Sequence, residues 1–122
     1  MMRTAALLLL LLPQDEAKFP VYLVGKHYNV RSSAPKEKAQ DLLDFMELVH
    51  STYMALLKPD NKEDVEKRKF SIVLYKDYAE YIRSGAPQGS GAYYNGKELV
   101  GAYDDTLTKP FFAHEGMHQF TD

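Results

Sequence analysis

The chain has 122 residues, 45% of them hydrophobic and 26% charged, with no cysteine and a formal net charge of −2. That length suits one domain, and the composition is that of a globular protein rather than a disordered one. The missing cysteines exclude disulfides, thiolate zinc sites and cysteine nucleophiles. The near-neutral charge leaves no footprint for nucleic acid or an anionic membrane surface.

Residues 1–17 read as a secretory signal peptide. Met1-Met2-Arg3 supplies a short positive start, residues 5–12 are uninterrupted apolar, Pro13 ends the run, and polar Gln14-Asp15-Glu16 follows. The run is far too short to cross a bilayer as a helix. Asp15 and Ala17 make a poor cleavage pair, and the competing reading is a buried N-terminal strand or helix. Export would place residues 18–122 outside the cell or in the periplasm or cell envelope, without a stable membrane anchor once the signal is removed.

Two β-rich runs, at 21–24 and 27–30, flank Gly25-Lys26 and suit a short hairpin or one bent strand. Ser33-Ala34-Pro35 then marks a helix start, because Pro35 in a first turn gives up no needed N–H. From Lys36 to Leu57, Ala39, Leu42, Leu43, Met46, Val49, Tyr53, Leu56 and Leu57 recur at helical spacing, opposite a polar face, and Lys58-Pro59 ends the helix. The mixed charges of residues 62–69 predict a solvated turn or helix end. The run 70–75 has the continuous apolar composition of a buried central strand. Asp77-x-x-Glu80 predicts a capping box on a short helix ended by Ser84-Gly85, and the glycine-rich stretch 84–91 predicts a loop free to move. Asn95-Gly96 predicts a type I′ hairpin turn. Thr106 or Thr108 then caps a last helix with Pro110 in its first turn. The expected fold is α+β: a small sheet with a β-hairpin, packed against the long helix and the last helix.

That last helix contains His114-Glu115-Gly116-Met117-His118, an H-E-x-x-H motif. Residues four apart share a helix face, so His114 and His118 can present two imidazoles to one Zn²⁺. Glu115 beside them can act as general base for the water that zinc activates, then return the proton to a leaving amine. A random match arises in roughly one chain in a hundred of this composition. Residues 97–103 could offer a backbone edge to an extended peptide. The nine tyrosines follow no spacing rule and read as sheet aromatics.

His-Glu-Gly-Met-His-Gln after a hairpin resembles the N-terminal half of a gluzincin-type (peptidase MA-like) zinc metallopeptidase domain. It is most like an uncharacterised exported bacterial peptidase family with an HExxHQ helix. The resemblance spans roughly residues 19–122, with only residues 114–119 specific. It implies a zincin-like fold, a peptide or protein substrate, His114 and His118 as zinc ligands and Glu115 as catalytic base. The metzincin variant would need Gly where Thr121 stands.

A gluzincin takes its third ligand, usually glutamate, from a later helix, so the expectation is a truncated N-terminal part lacking that ligand. Asp122 lies eight residues and about 12 Å of helix rise beyond His114, too far to converge with both histidines. Asp104 and Asp105 read as a turn or cap, and His27 and His50 as packed or surface histidines. The alternative function is a non-catalytic secreted zincin-like binding or envelope-structural module with a vestigial motif.

Overall fold

The computed structural model describes residues 18–122; the expected signal peptide at 1–17 lies outside them. Among the described residues the fold is α+β, with five strands and four helices. In chain order these are β1 (Val21–Val24), β2 (Tyr28–Ser32), α1 (Lys36–Leu57), α2 (Lys62–Lys67), β3 (Phe70–Tyr75), α3 (Tyr78–Arg83), β4 (Ala92–Tyr94), β5 (Glu98–Ala102) and α4 (Thr108–Thr121). No described helix is long and apolar enough to cross a membrane.

The strands form one mixed sheet in the order β1-β2-β3-β5-β4. Its two outer pairs are antiparallel hairpins, while β2–β3 and β3–β5 run parallel. Parallel neighbours need a crossover, and α1 supplies the one between β2 and β3. The apolar strand β3 is central, as its composition predicts. One expectation is overturned: β5 has no free backbone edge. It pairs with β3 on one side and β4 on the other, with Leu99 and Val100 buried on opposite faces. The outer edges belong to β1 and β4.

Strand alternation divides the core in two. On one face Tyr28, Val30, Phe70, Ile72, Leu74 and Leu99 meet Leu42, Leu43, Met46 and Tyr53 of α1 and Phe112 and Phe120 of α4. On the other, Val73, Tyr75, Val100 and Ala102 pack with Phe19 and Tyr81. Each fully buried side chain of this size contributes about 1.5–3 kcal/mol relative to exposure. Truncating Phe112, which α4 inserts into the first layer with no exposed surface, would cost about 3–5 kcal/mol.

Helix α1 has the expected bounds, but its buried stripe runs through Met46, His50 and Tyr53, with Leu56 and Leu57 exposed in the last turn. The 62–69 run forms the short α2, anchored by Val65. Asp77 caps α3 by accepting the Glu80 amide at 2.9 Å. The reciprocal half of the capping box is missing, since Glu80 instead accepts from Ser33 Oγ and pairs with Lys76 at 3.5 Å.

The hairpin turn also differs from expectation. Gly96 has φ +92°, but Asn95 stays out of the left-handed region, so a type I′ turn does not form. The Asn95 side-chain oxygen accepts the amides of Lys97 and Glu98, at 2.9 and 2.6 Å, and closes the turn itself. Loop 84–91 is tied down: the Gly89 amide donates to Tyr78 Oη at 2.9 Å, and Ser90 Oγ bonds Tyr81 Oη at 2.8 Å. Neither threonine caps α4 by its side chain; the Asp104 carboxylate accepts the amides of Thr106 and Leu107 at 2.9 and 2.8 Å.

Candidate metal centre

Helix α4 sorts its residues by face. Phe112, Gly116, Gln119 and Phe120 are buried against α1 and the sheet, while His114, Met117 and His118 are exposed and Glu115 is half-buried. The burial of one stripe thus displays the two histidines on the other. Their ring centroids are 5.4 Å apart at 80°. Donor atoms of His114, Glu115 and His118 all lie within 4.8 Å of one another, and His114 Nε2 is 3.7 Å from Glu115 Oε2. A tetrahedral zinc with bonds of about 2.0–2.1 Å would set its two nitrogens about 3.3 Å apart. Two imidazoles with a carboxylate beside them are a donor set of the chemistry that such an ion takes.

Three contacts seat this helix. The Tyr53 hydroxyl of α1 donates to the carbonyl of Ala113, the residue before the motif. Burial pushes the Tyr53 pKa up to about 12, which keeps the hydroxyl protonated as the donor. Gly116 lets α1 come close: a Cβ there would meet Met46 Cε and Tyr53 Oη, both at 2.9 Å. Beyond the motif, the amide of fully buried Gln119 donates to the Ser71 carbonyl of β3 at 3.1 Å.

The other acidic and histidine candidates fall elsewhere. Asp122 Oδ2 accepts from Tyr94 Oη at 2.6 Å and does not join the motif group. Asp104 and Asp105 stay at the start of α4, where Asp105 accepts from Tyr103 Oη. Among the described residues no other His, Asp or Glu completes the set around His114 and His118. Beside α4 lies an open cleft of about 360 Å³ lined by Tyr78, Tyr103, Leu107 and Phe111, among others. Leu107 and Phe111 precede Glu115 by eight and four residues, so the cleft opens along the Glu115 face. The tyrosines of the second sheet face form an aromatic cluster, with Tyr81 6.4 Å from Tyr75 and 6.1 Å from Tyr93.

A second polar group gathers around Glu47 and His50 in the middle of α1. His27 sits in the bend before β2 rather than within a strand. Its Nδ1 and Nε2 each lie 2.7 Å from a carboxylate oxygen, of Glu47 and Glu66 respectively. Its ring stacks on His50 at 3.7 Å and 9°. Donor atoms of His27, His50 and Glu66 also lie within 4.8 Å of one another. Parallel rings, however, send their in-plane lone pairs side by side rather than toward one point, and both His27 nitrogens already face carboxylates. Burial, then the nearby His27, holds the His50 pKa below the ordinary histidine value. Burial would push the Glu47 carboxyl up, but the hydrogen bonds from the His27 amide and ring and the Tyr28 amide outweigh it and hold it below the usual range. Glu47 and Glu66 were not singled out in the sequence. The legible clue was His50, four residues after Met46 and three before Tyr53, on the buried stripe.

Compared with protein-family models, curated proteins and solved structures, the chain matches none. Fold and site together define an α+β protein that displays an H-E-x-x-H helix at its surface, seated on a mixed sheet by α1.

Proposed function

We propose that this chain carries the active-site helix of a zinc-dependent peptidase, in a zincin-like fold of the gluzincin type. The observation that supports this reading best is the display of His114 and His118 on one exposed face with Glu115 beside them. Zinc held by the two imidazoles would supply Lewis acidity and hydroxide at neutral pH. Glu115 would take up the proton of the attacking water and deliver it to the departing amine. The free edge of β4, which packs on α4, is where an extended peptide would add as a strand. The Tyr78–Phe111 cleft would accept an apolar or aromatic side chain of that peptide. The apolar run at residues 5–12, read as a signal, makes the cell envelope or exterior the proposed location.

Glu115→Gln tests the mechanism. It keeps the shape and the two imidazoles, so zinc content should be unchanged while cleavage of a quenched fluorescent protein substrate falls about 10²–10⁴-fold. Equal cleavage by the variant would overturn the reading.

A second reading is a non-catalytic binding or envelope-structural module. It is favoured by one observation: among the described residues the motif group holds two imidazoles and Glu115, with no third ligand beyond the base. That reading expects Glu115→Gln to leave partner binding untouched, with no zinc-dependent turnover in either form.

A further inference from the structure

The face that α4 turns away from its buried stripe carries Leu107, Phe111, His114, His118 and Thr121, spaced alternately by four and three residues. That is the spacing of a seam along which one helix packs on another, and Met117 flanks it. The seam lies open: Leu107 is 45%, Phe111 38% and Met117 37% exposed, and the His114 side chain 67%. The helix bears one ammonium and one carboxylate, and both stand off the seam. Lys109 turns to Asp41 of α1 at 3.0 Å, and Glu115 lies half-buried to one side.

The imidazole pair at the middle of this seam supplies half of a tetrahedral zinc shell. Among the described residues Glu115 alone joins the two histidines, and no other His, Asp or Glu does. A second copy of the chain necessarily carries the same pair on the same open face. A closed two-fold contact needs such a self-complementary patch, and a two-fold axis through one ion turns two bidentate pairs into four ligands. We propose that Zn²⁺ joins two copies of this chain, each giving His114 and His118 to one ion on the axis between the two α4 helices.

The seam suits its own image. An axis crossing the helix at the level of Gly116, midway between the histidines, brings Phe111 of each copy over Thr121 of the other, and no charged side chain on the seam meets its like. The contact is also small. Helix α4 has 14 residues, about 21 Å of length, so one of its faces falls well short of the roughly 800 Å² per partner of a stable interface. Association therefore depends on the metal and not on the apolar seam alone. The inference rests on the zinc ligands of the reading above and not on its hydrolytic step. It adds a form in which protein nitrogen fills all the metal positions and none is left for water, so pairing would silence hydrolysis.

Sedimentation velocity of the full chain, with Zn²⁺ or with a chelator, tests this together with the zinc content of each species. The chain should be monomeric in chelator, double its mass on addition of zinc, and return when chelator is restored. The dimer should hold one zinc for two chains, and X-ray absorption should show four imidazole nitrogens at about 2.0–2.1 Å. His114→Ala and His118→Ala should each abolish the zinc-induced dimer; both side chains are exposed, so the fold should survive the change. Zinc bound one per chain to a monomer would overturn the pairing and leave the zinc ligands of the peptidase reading standing. Failure to hold zinc at all would overturn both. A dimer that persists in chelator or in His118→Ala would also overturn the pairing, since another surface would then be joining the copies.

Discussion

Gln119 and Ser71 are joined by a 3.1 Å hydrogen bond from the glutamine amide to the strand carbonyl, directly tying the residue after the second motif histidine to the central strand. The amide is fully buried, so its loss removes both a hydrogen bond and packing. Gln119→Ala should lower unfolding free energy by about 1–3 kcal/mol in urea denaturation. It should also weaken zinc binding by the neighbouring His118 in a competitive chelator titration. A variant as stable and as zinc-avid as the parent would show that this contact seats nothing.

The tight approach of α4 to α1 makes Gly116→Ala costly, although alanine favours a helix by about 1 kcal/mol over glycine. Met46 Cε can swing away from the new methyl, but Tyr53 Oη cannot do so without straining its bond to the Ala113 carbonyl. Crowding of about 1–3 kcal/mol should outweigh the propensity gain. The expected result is a lower thermal midpoint, with weaker zinc binding as the helix lifts.

His118 is exposed, so His118→Ala should leave metal-free stability within about 0.5 kcal/mol of the parent. What should change is the response to zinc. Zinc at about 100 times its dissociation constant should stabilise the parent by about 2.7 kcal/mol, reversibly removed by a chelator, and stabilise the variant far less. Calorimetric melts with and without zinc read this directly.

Stability should decline on the acid side in two stages. The folded pKa of His50 is depressed, so the unfolded chain takes up a proton first, at about 6.5. The stability that neutral His50 contributes is present above that pH and is lost as pH falls toward the folded value. Glu47 is depressed as well, so its contribution is present above about 4.5 and is lost below it. Denaturant midpoints should therefore fall below about pH 6.5, and His50→Phe should remove the first stage while keeping the second. A midpoint that is flat from neutrality to about pH 5 would contradict the neutral, buried state of His50.

What the sequence disclosed was what periodicity and local chemistry encode. The bounds of α1, the central place of β3, the Asp77 cap and the exposed display of His114 and His118 all follow from spacing within one element. Strand neighbours do not: alternation says which face a residue takes, not which strand lies beside it. Hence β5, read as an edge, proved interior. Likewise Glu47 and Glu66 lie 20 and 39 residues from His27, and no local pattern links them. The seat of α4 was hidden for the same reason, since Tyr53 bonds a carbonyl 60 residues away.

The parallel pairing of β2 with β3 carries a kinetic consequence. Ser32 and Leu74, register partners 42 residues apart, can meet only after a long loop containing α1 has closed. The floor on which α4 rests is thus built from contacts of high sequence separation, whose closure entropy must be met before they stabilise anything. The two histidines come from a single helical turn and are near one another in any helical form of that segment. Their support by Tyr53 and Gln119, in contrast, must await assembly of the sheet and of α1. During folding, the imidazole pair can therefore form before the surface that makes it rigid.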